Sequence, residues 1–208
     1  IASVSITDRA PGQSYSSMVT AKIFSALISR TPEIVTGNGL KPAAVLIAIQ
    51  ERADGDYIVL TKRGDNMPTH KGQIAFPGGR VHAGDADLVA TALRESHEEI
   101  GVVPEHVQVL GRLDEFTAGY GIVVTPVVGV IPPQYDFLLD LAETSAVASV
   151  PIRSLMEPGS YVKNAHLSPG GHPSYHFYVN NGWDIWGVTA RILVQFLELA
   201  YDFESEKK

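Results

Sequence analysis

The chain has 208 residues, 45% of them hydrophobic, and a formal net charge of −7, which suits one packed domain and excludes an extended disordered chain. An acidic balance with no run of Lys and Arg before the final Glu206-Lys207-Lys208 argues against a nucleic-acid partner. The absence of cysteine excludes disulfides, thiolate zinc sites and cysteine nucleophiles, and no apolar run approaches the roughly 20 residues that span a bilayer.

Residues 16–30 place Val19, Ile23, Phe24, Leu27 and Ile28 at helical spacing, with serines before them as N-caps. This predicts an amphipathic helix, and with it an N-terminal helical extension over 1–36 packed on a main domain over 37–204. Two strand-like runs, 43–50 and 56–61, join through Arg52-Ala53-Asp54-Gly55, a tight-turn signal that predicts a hairpin. A second pair of strands is expected over 106–116 and 121–131, both rich in β-branched residues. Shorter runs follow at 145–151 and 174–179. Asp184 is read as the cap of a closing helix whose core face carries Val188, Ile192, Phe196, Leu199 and Ala200. The order predicts an α/β fold, a mixed sheet with helices packed around it.

Between the strand pairs lies FPGGRVHAGDADLVATALRESHEEIGV, residues 76–102. Val89, Leu93, Ser96 and Ile100 form a narrow helical stripe, and Gly101 stops the helix. At about 100° per residue, Glu95, Glu98 and Glu99 fall within roughly a 100° arc beside that stripe. Like charges at this spacing cost a helix about 0.2–0.5 kcal/mol per pair, and carboxylates near its C-terminus oppose the macrodipole by about 0.3–1 kcal/mol each. A solvated acidic face is the ordinary explanation of such a triplet. A bound Mg2+ or Mn2+ would instead reverse the sign of the repulsion, and Glu95 and Glu99, one turn apart, are spaced to share the ion. The paired Gly78-Gly79 before the helix lets backbone approach such a site closely.

These residues resemble the Nudix box, G-x5-E-x7-R-E-U-x-E-E-x-G-U, where U is aliphatic. Gly79 takes the first glycine, and Arg94 to Val102 follows the second half except for Ser96 at an aliphatic place. The gap from Gly79 to Arg94 is one residue longer than the pattern, with Asp85 slightly out of register as the acidic residue. The upstream segment is similar to the signature of the coenzyme A branch, L-L-T-x-R-(S/A)-x3-R-x3-G-x3-F-P-G-G. Leu60-Thr61-Lys62-Arg63, Gly72 and Phe76-Pro77-Gly78-Gly79 follow it, whereas Val59, Gly64 and Pro68 depart from it; His82 stands where the branch often has an acid. Residues 184–190 are similar to a C-terminal segment of the same branch.

The resemblance implies an α/β/α sandwich around a mixed β-sheet and metal-dependent hydrolysis of a diphosphate linkage. Coenzyme A or a derivative is the implied substrate, cut to 3′,5′-ADP and 4′-phosphopantetheine or its acyl form. Glu95 and Glu99 are then expected as metal ligands, Glu98 as a third ligand or the general base, and the Gly79 carbonyl as a further donor. Arg94 is expected to orient a glutamate. Arg63, His70, Gln73 and Arg80 are the expected substrate contacts, Lys71 serves a phosphate or a solvated surface equally well, and Glu143 is a candidate base outside the box. Alternatives are a Nudix pyrophosphatase for a nucleotide sugar, ADP-ribose, a dinucleotide or a damaged nucleotide, and a non-catalytic binding module of the same fold. A cytoplasmic protein is expected; because the chain starts at Ile1, a trimmed targeting segment stays open, as does oligomeric state, a homodimer included.

Overall fold

The computed structural model describes residues 18–64, 71–164, 173–179 and 182–205. Helix α1, Met18–Ile28, precedes the hairpin of β1, Lys41–Arg52, and β2, Gly55–Arg63, closed by Ala53-Asp54 with Arg52 opposite Gly55. Short strands β3, Ile74–Ala75, and β4, Gly78–Arg80, lead into α2, Leu88–Ile100. Then come β5, Gln108–Arg112, β6, Phe116–Ala118, β7, Ile122–Ile131, and β8, Thr144–Pro151. The chain closes with α3, Ile152–Leu155, strands β9, Tyr161–Asn164, β10, Ser174–Tyr178, and β11, Asp184–Trp186, and helix α4, Gly187–Tyr201.

The main sheet is mixed. β1 runs parallel to β7 over Lys41–Gln50 and antiparallel to β2 and β4, while β5 and β6 pair with β7, and β3 and β8 pair with β2. Both faces of β1 are covered, so it reads as an almost continuous apolar run rather than an alternating one. Ala44, Leu46 and Ala48 face α2 with Val127 and Ile131. Ala43, Ile47 and Ile49 belong to the opposite cluster, with Ile23 and Leu27 of α1 and Ile192, Leu193, Phe196 and Leu197 of α4. The architecture is therefore the expected helix, sheet, helix sandwich. Among the described residues no helix is long and apolar enough to cross a membrane.

Four local expectations are corrected. The 106–116 run breaks into β5 and β6, because the register shifts between Val109 and Gly111 and the chain swings out at Asp114 and Glu115. There Asp114 binds Arg30 and the Glu33 amide, and Glu115 accepts from the Val35 amide and Thr125. β9, β10 and β11 form a separate three-stranded sheet, β10 against α4 and β11 against β3. Asp184 lies in β11 and pairs with His176 Nδ1 at 2.9 Å; α4 starts three residues later, at Gly187, with no side-chain cap. On α1 the buried stripe is Thr20, Ile23 and Leu27, leaving Phe24 46% and Ile28 63% exposed. The serines expected to cap α1 lie outside the described residues; the Thr20 amide and hydroxyl bond Glu51 Oε1 of β1 at 3.0 and 2.6 Å.

Candidate active site

Helix α2 is fixed at both ends by its own sequence. Asp87 Oδ1 accepts from the Ala90 amide at 2.8 Å, and Gly101 takes a left-handed conformation, φ 73°, its amide bonding His97 O at 2.9 Å. Beyond it the segment from Phe137 to Glu143 straps the helix end, the Leu138 and Asp140 amides donating to Ile100 O and Glu99 O, both at 3.0 Å. This strap supplies donors to carbonyls that the last turn leaves open.

The buried face of α2 is Thr91, Ala92, Ser96, Glu99 and Ile100, with Val89 and Leu93 only partly covered. Ser96 is tolerated there because its hydroxyl donates back to Ala92 O at 2.6 Å. The inward face is rotated from the expected stripe, and the rotation separates the three glutamates. Glu99 is only 6% exposed, the side chain of Glu95 is 13% exposed, and that of Glu98 is 55% exposed. Their exposures differ, and among the described residues no three His, Asp or Glu side chains converge as a preformed ion cage.

Gly78 and Gly79 lie in strand β4, paired with Val45 and Ala44 of β1. A Cβ on Gly78, where φ is 154°, would overlap the backbone of Ala44 and Val45, and one on Gly79 would overlap the carboxylate of Glu95. The first clash is with main chain that cannot yield, and the second would displace a site side chain. Gly78 thus lets β4 lie close on β1, and Gly79 lets it lie close on Glu95 of α2. The Gly78 amide donates to Glu99 Oε2 at 3.2 Å.

Arg94 organises the other two glutamates. Its Nε and Nη2 form a fork on Asp85 at 2.8 and 3.0 Å, Nη2 also reaches Arg80 O at 3.0 Å, and Nη1 bonds Glu95 Oε1 and Glu98 Oε2, each at 2.9 Å. Asp85 further accepts from the His82 amide and Thr91 Oγ1. The Arg94 hydrogen bond, above all, holds the Asp85 carboxyl well below the usual range. Asp85, out of register with the box pattern in sequence, is thus the acid that grips Arg94.

Glu99 sits in the opposite condition. Burial pushes its carboxyl up to about 7, against the opposing pull of the Gly78 amide and the Arg63 charge; the charges of Glu95 and Glu143 push it further up. Arg63 ends β2 beside a register shift, and its Nε is buried with no hydrogen-bond partner among the described residues. Gln73 O accepts from the Arg63 amide at 3.0 Å, so these two expected substrate contacts are neighbours. Arg80 and Lys71 are exposed, and His70 lies outside the described residues. Gly64, which departs from the branch signature, has its amide on Glu143 O at 2.7 Å, and a Cβ there would sit 3.2 Å from the same oxygen. Glu143 is thereby tied to the end of β2. The strap and the Asp85 fork were missed in the sequence; only Asp87, in cap position before an apolar run, carried a local signal.

A family model described as the NUDIX domain matches residues 40–165. An uncharacterized Nudix hydrolase named NudL from Enterobacter sp. (strain 638) is 38% identical over 160 residues, covering 74% of this chain and 79% of that protein. Its namesake from Cronobacter sakazakii is 37% identical over 153 residues, with coverage of 74% and 79%. A solved MutT/nudix family protein from Enterococcus faecalis aligns with 91% of this chain and 76% of its own, at TM-score 0.57 and 15% identity, a likeness of fold. With the model spanning more than half of its length and such relatives beside it, the chain belongs to the Nudix family and is a pyrophosphohydrolase.

Proposed function

We propose that the protein hydrolyses the diphosphate linkage of coenzyme A or its derivatives, releasing 3′,5′-ADP and 4′-phosphopantetheine or acyl-phosphopantetheine, with Mg2+ or Mn2+ as cofactor. The observation that carries the metal-dependent part is Glu99, buried beside Glu95 against the backbone of β4 and made harder to ionise by that burial. Two carboxylates so placed, with the Gly79 carbonyl on the same short strand, are a hard-oxygen donor set that fits a divalent cation. Such an ion, when bound, offsets charge on the diphosphate and acidifies a coordinated water.

The protein's own groups divide the remaining work. Arg94 holds Glu95 and Glu98 in register through one nitrogen while its other two anchor to Asp85. Glu98, the most exposed of the three, is placed to act as a third ligand or to take a proton from the attacking water at a carboxylate oxygen. Glu143 is the alternative base, fixed by its bond from Gly64 and close enough for its charge to act on Glu99. Arg63 offers a buried donor without an acceptor among the described residues, which suits a phosphate oxygen. Gln73 beside it, Arg80 on β4 and His70 are proposed as the further substrate contacts.

The coenzyme A assignment rests on residues 60–63, 72 and 76–79. It is supported by the packing of Gly64 on Glu143 O, which gives that departure from the signature a steric cause unrelated to substrate. Purified protein with Mg2+ or Mn2+ is assayed against coenzyme A, ADP-ribose, a nucleotide sugar and dinucleotides, with products identified by mass spectrometry. Formation of 3′,5′-ADP and 4′-phosphopantetheine is expected. An unchanged coenzyme A peak beside turnover of another compound removes this substrate, and ligand binding without product under either metal favours a non-catalytic module.

A further inference from the structure

The main chain of Arg63 is gripped from both sides. Towards β3 its amide donates to Gln73 O at 3.0 Å, and its carbonyl accepts from the Gly72 amide at 3.2 Å. Towards β8 the pairing slips by one residue, from Lys62 opposite Ala146 to Arg63 opposite Thr144, which leaves Ser145 as a bulge. The Ser145 hydroxyl is shared between Lys62 O at 3.1 Å and Arg63 O at 3.2 Å, and the Gly64 amide bonds Glu143 O. The backbone is thus fixed where the side chain is unsatisfied, for Arg63 Nε is buried with no hydrogen-bond partner among the described residues.

The segment that grips Arg63 is joined to Glu99 at Asp140. The Asp140 amide donates to Glu99 O at 3.0 Å, its carboxylate Oδ1 accepts from the Ala142 amide at 2.9 Å, and its carbonyl accepts from the Glu143 and Thr144 amides at 3.1 and 2.8 Å. The carboxylate therefore closes a turn from which Glu143 and Thr144 leave towards β2. Phe137 packs on the α2 cluster, but Leu138 and Leu141 are 75% and 74% exposed. Past Phe137 the course of the strap is accordingly set by hydrogen bonds more than by burial. The charges of Arg63 and Glu143 both act on Glu99, so the two ends of this chain of bonds meet at one site.

We propose that Asp140 is a positioning residue for the hydrolysis: the turn on its carboxylate sets where the Arg63 guanidinium stands relative to Glu99. The inference rests on the reading of Arg63 as a phosphate contact beside that carboxylate, and it needs a diphosphate substrate rather than a particular nucleotide. Asp140 touches neither substrate nor reacting atoms. It acts through Glu143, Thr144 and the bulge at Ser145, which together fix the end of β2.

Asp140→Ala removes the acceptor but keeps the amide bonded to Glu99 O, whereas Asp140→Asn keeps an acceptor oxygen and removes the charge. With coenzyme A and Mg2+, or with ADP-ribose if that alone is turned over, kcat/KM should fall about tenfold in Asp140→Ala and stay within about twofold of wild type in Asp140→Asn. Asp140→Ser, a weaker acceptor, should fall between them and carries the comparison if the alanine protein does not fold. Calorimetric titration with Mg2+ alone should give the wild-type affinity in each Asp140 variant. In an Arg63→Lys background, whose flexible stem depends less on where its backbone sits, Asp140→Ala should cost less than about twofold. Wild-type kinetics in Asp140→Ala, an equal loss in Asp140→Asn, or a weakened Mg2+ affinity each overturns the inference. So does an undiminished loss on top of Arg63→Lys, the mark of a general structural role. Wild-type kinetics in Arg63→Gln instead remove the phosphate role of Arg63 and the inference together.

Discussion

Replacing Glu99 by Gln should stabilise the metal-free protein at alkaline pH while abolishing its activity. The folded carboxyl titrates at about 7 against an ordinary value of 4.5. The folded state therefore binds this proton more tightly than the unfolded chain does. Below pH 4.5 both states are protonated and stability is complete. Between 4.5 and 7 the unfolded chain sheds its proton first, so stability falls, and above 7 the deficit is constant. At 1.36 kcal/mol per pH unit the full deficit is about 3 kcal/mol. The introduced glutamine amide does not titrate, and its oxygen can still accept from Gly78. Differential scanning fluorimetry in EDTA should thus show Glu99→Gln melting about 6–12 °C above wild type at pH 8.5, with the gap closing near pH 4.5. Subtracting the two curves cancels the other titrating groups. Mg2+ should raise the melting temperature of wild type alone. An equal gap at both pH values, metal stabilisation of the variant, or full turnover by it would refute the placement of Glu99 as a buried, ion-binding carboxylate.

Metal affinity in wild type should strengthen about tenfold between pH 6 and pH 8, because Glu99 must lose its proton to bind; calorimetric titration that finds no pH dependence contradicts this. Arg94→Lys keeps the charge but not the fork that joins Asp85, Arg80 O, Glu95 and Glu98, so kcat should fall by about 10- to 100-fold with little change in melting temperature. Gly78→Ala drives a methyl into the backbone of β1 and should lower the melting temperature by several degrees or yield insoluble protein, and an unaltered melting curve would mean β4 is free to shift.

Local geometry around the site was legible where it depends on nearest neighbours along the chain. Gly101 as the stop of α2 and the close backbone approach at Gly78-Gly79 each follow from a few residues. Environment was not legible. Whether Glu99 or Leu93 turns inward is a rotation of a fraction of a turn, decided by the sheet and the 137–143 strap rather than by helical period. Asp85 finds Arg94 across a turn whose path no periodicity encodes. Likewise, Asp184 has the chemistry of a helix cap, yet His176 on a neighbouring strand claims it. On α1, Phe24 and Ile28 share the helical spacing of Ile23 and Leu27, and only tertiary packing chooses between the two stripes.

Helix α1 has a practical consequence for anyone trimming this chain. Ile23 and Leu27 share one apolar cluster with α4, and the Thr20 amide is anchored to Glu51 of the central strand. A fragment cut to the boundaries at which the family is recognised, 40–165, would strip both helices from one side of the sheet and leave Ile47, Ile49, Val128 and Val130 facing water. The stretch that identifies the family is shorter than the stretch that covers its apolar sheet face, and expression boundaries belong outside both helices.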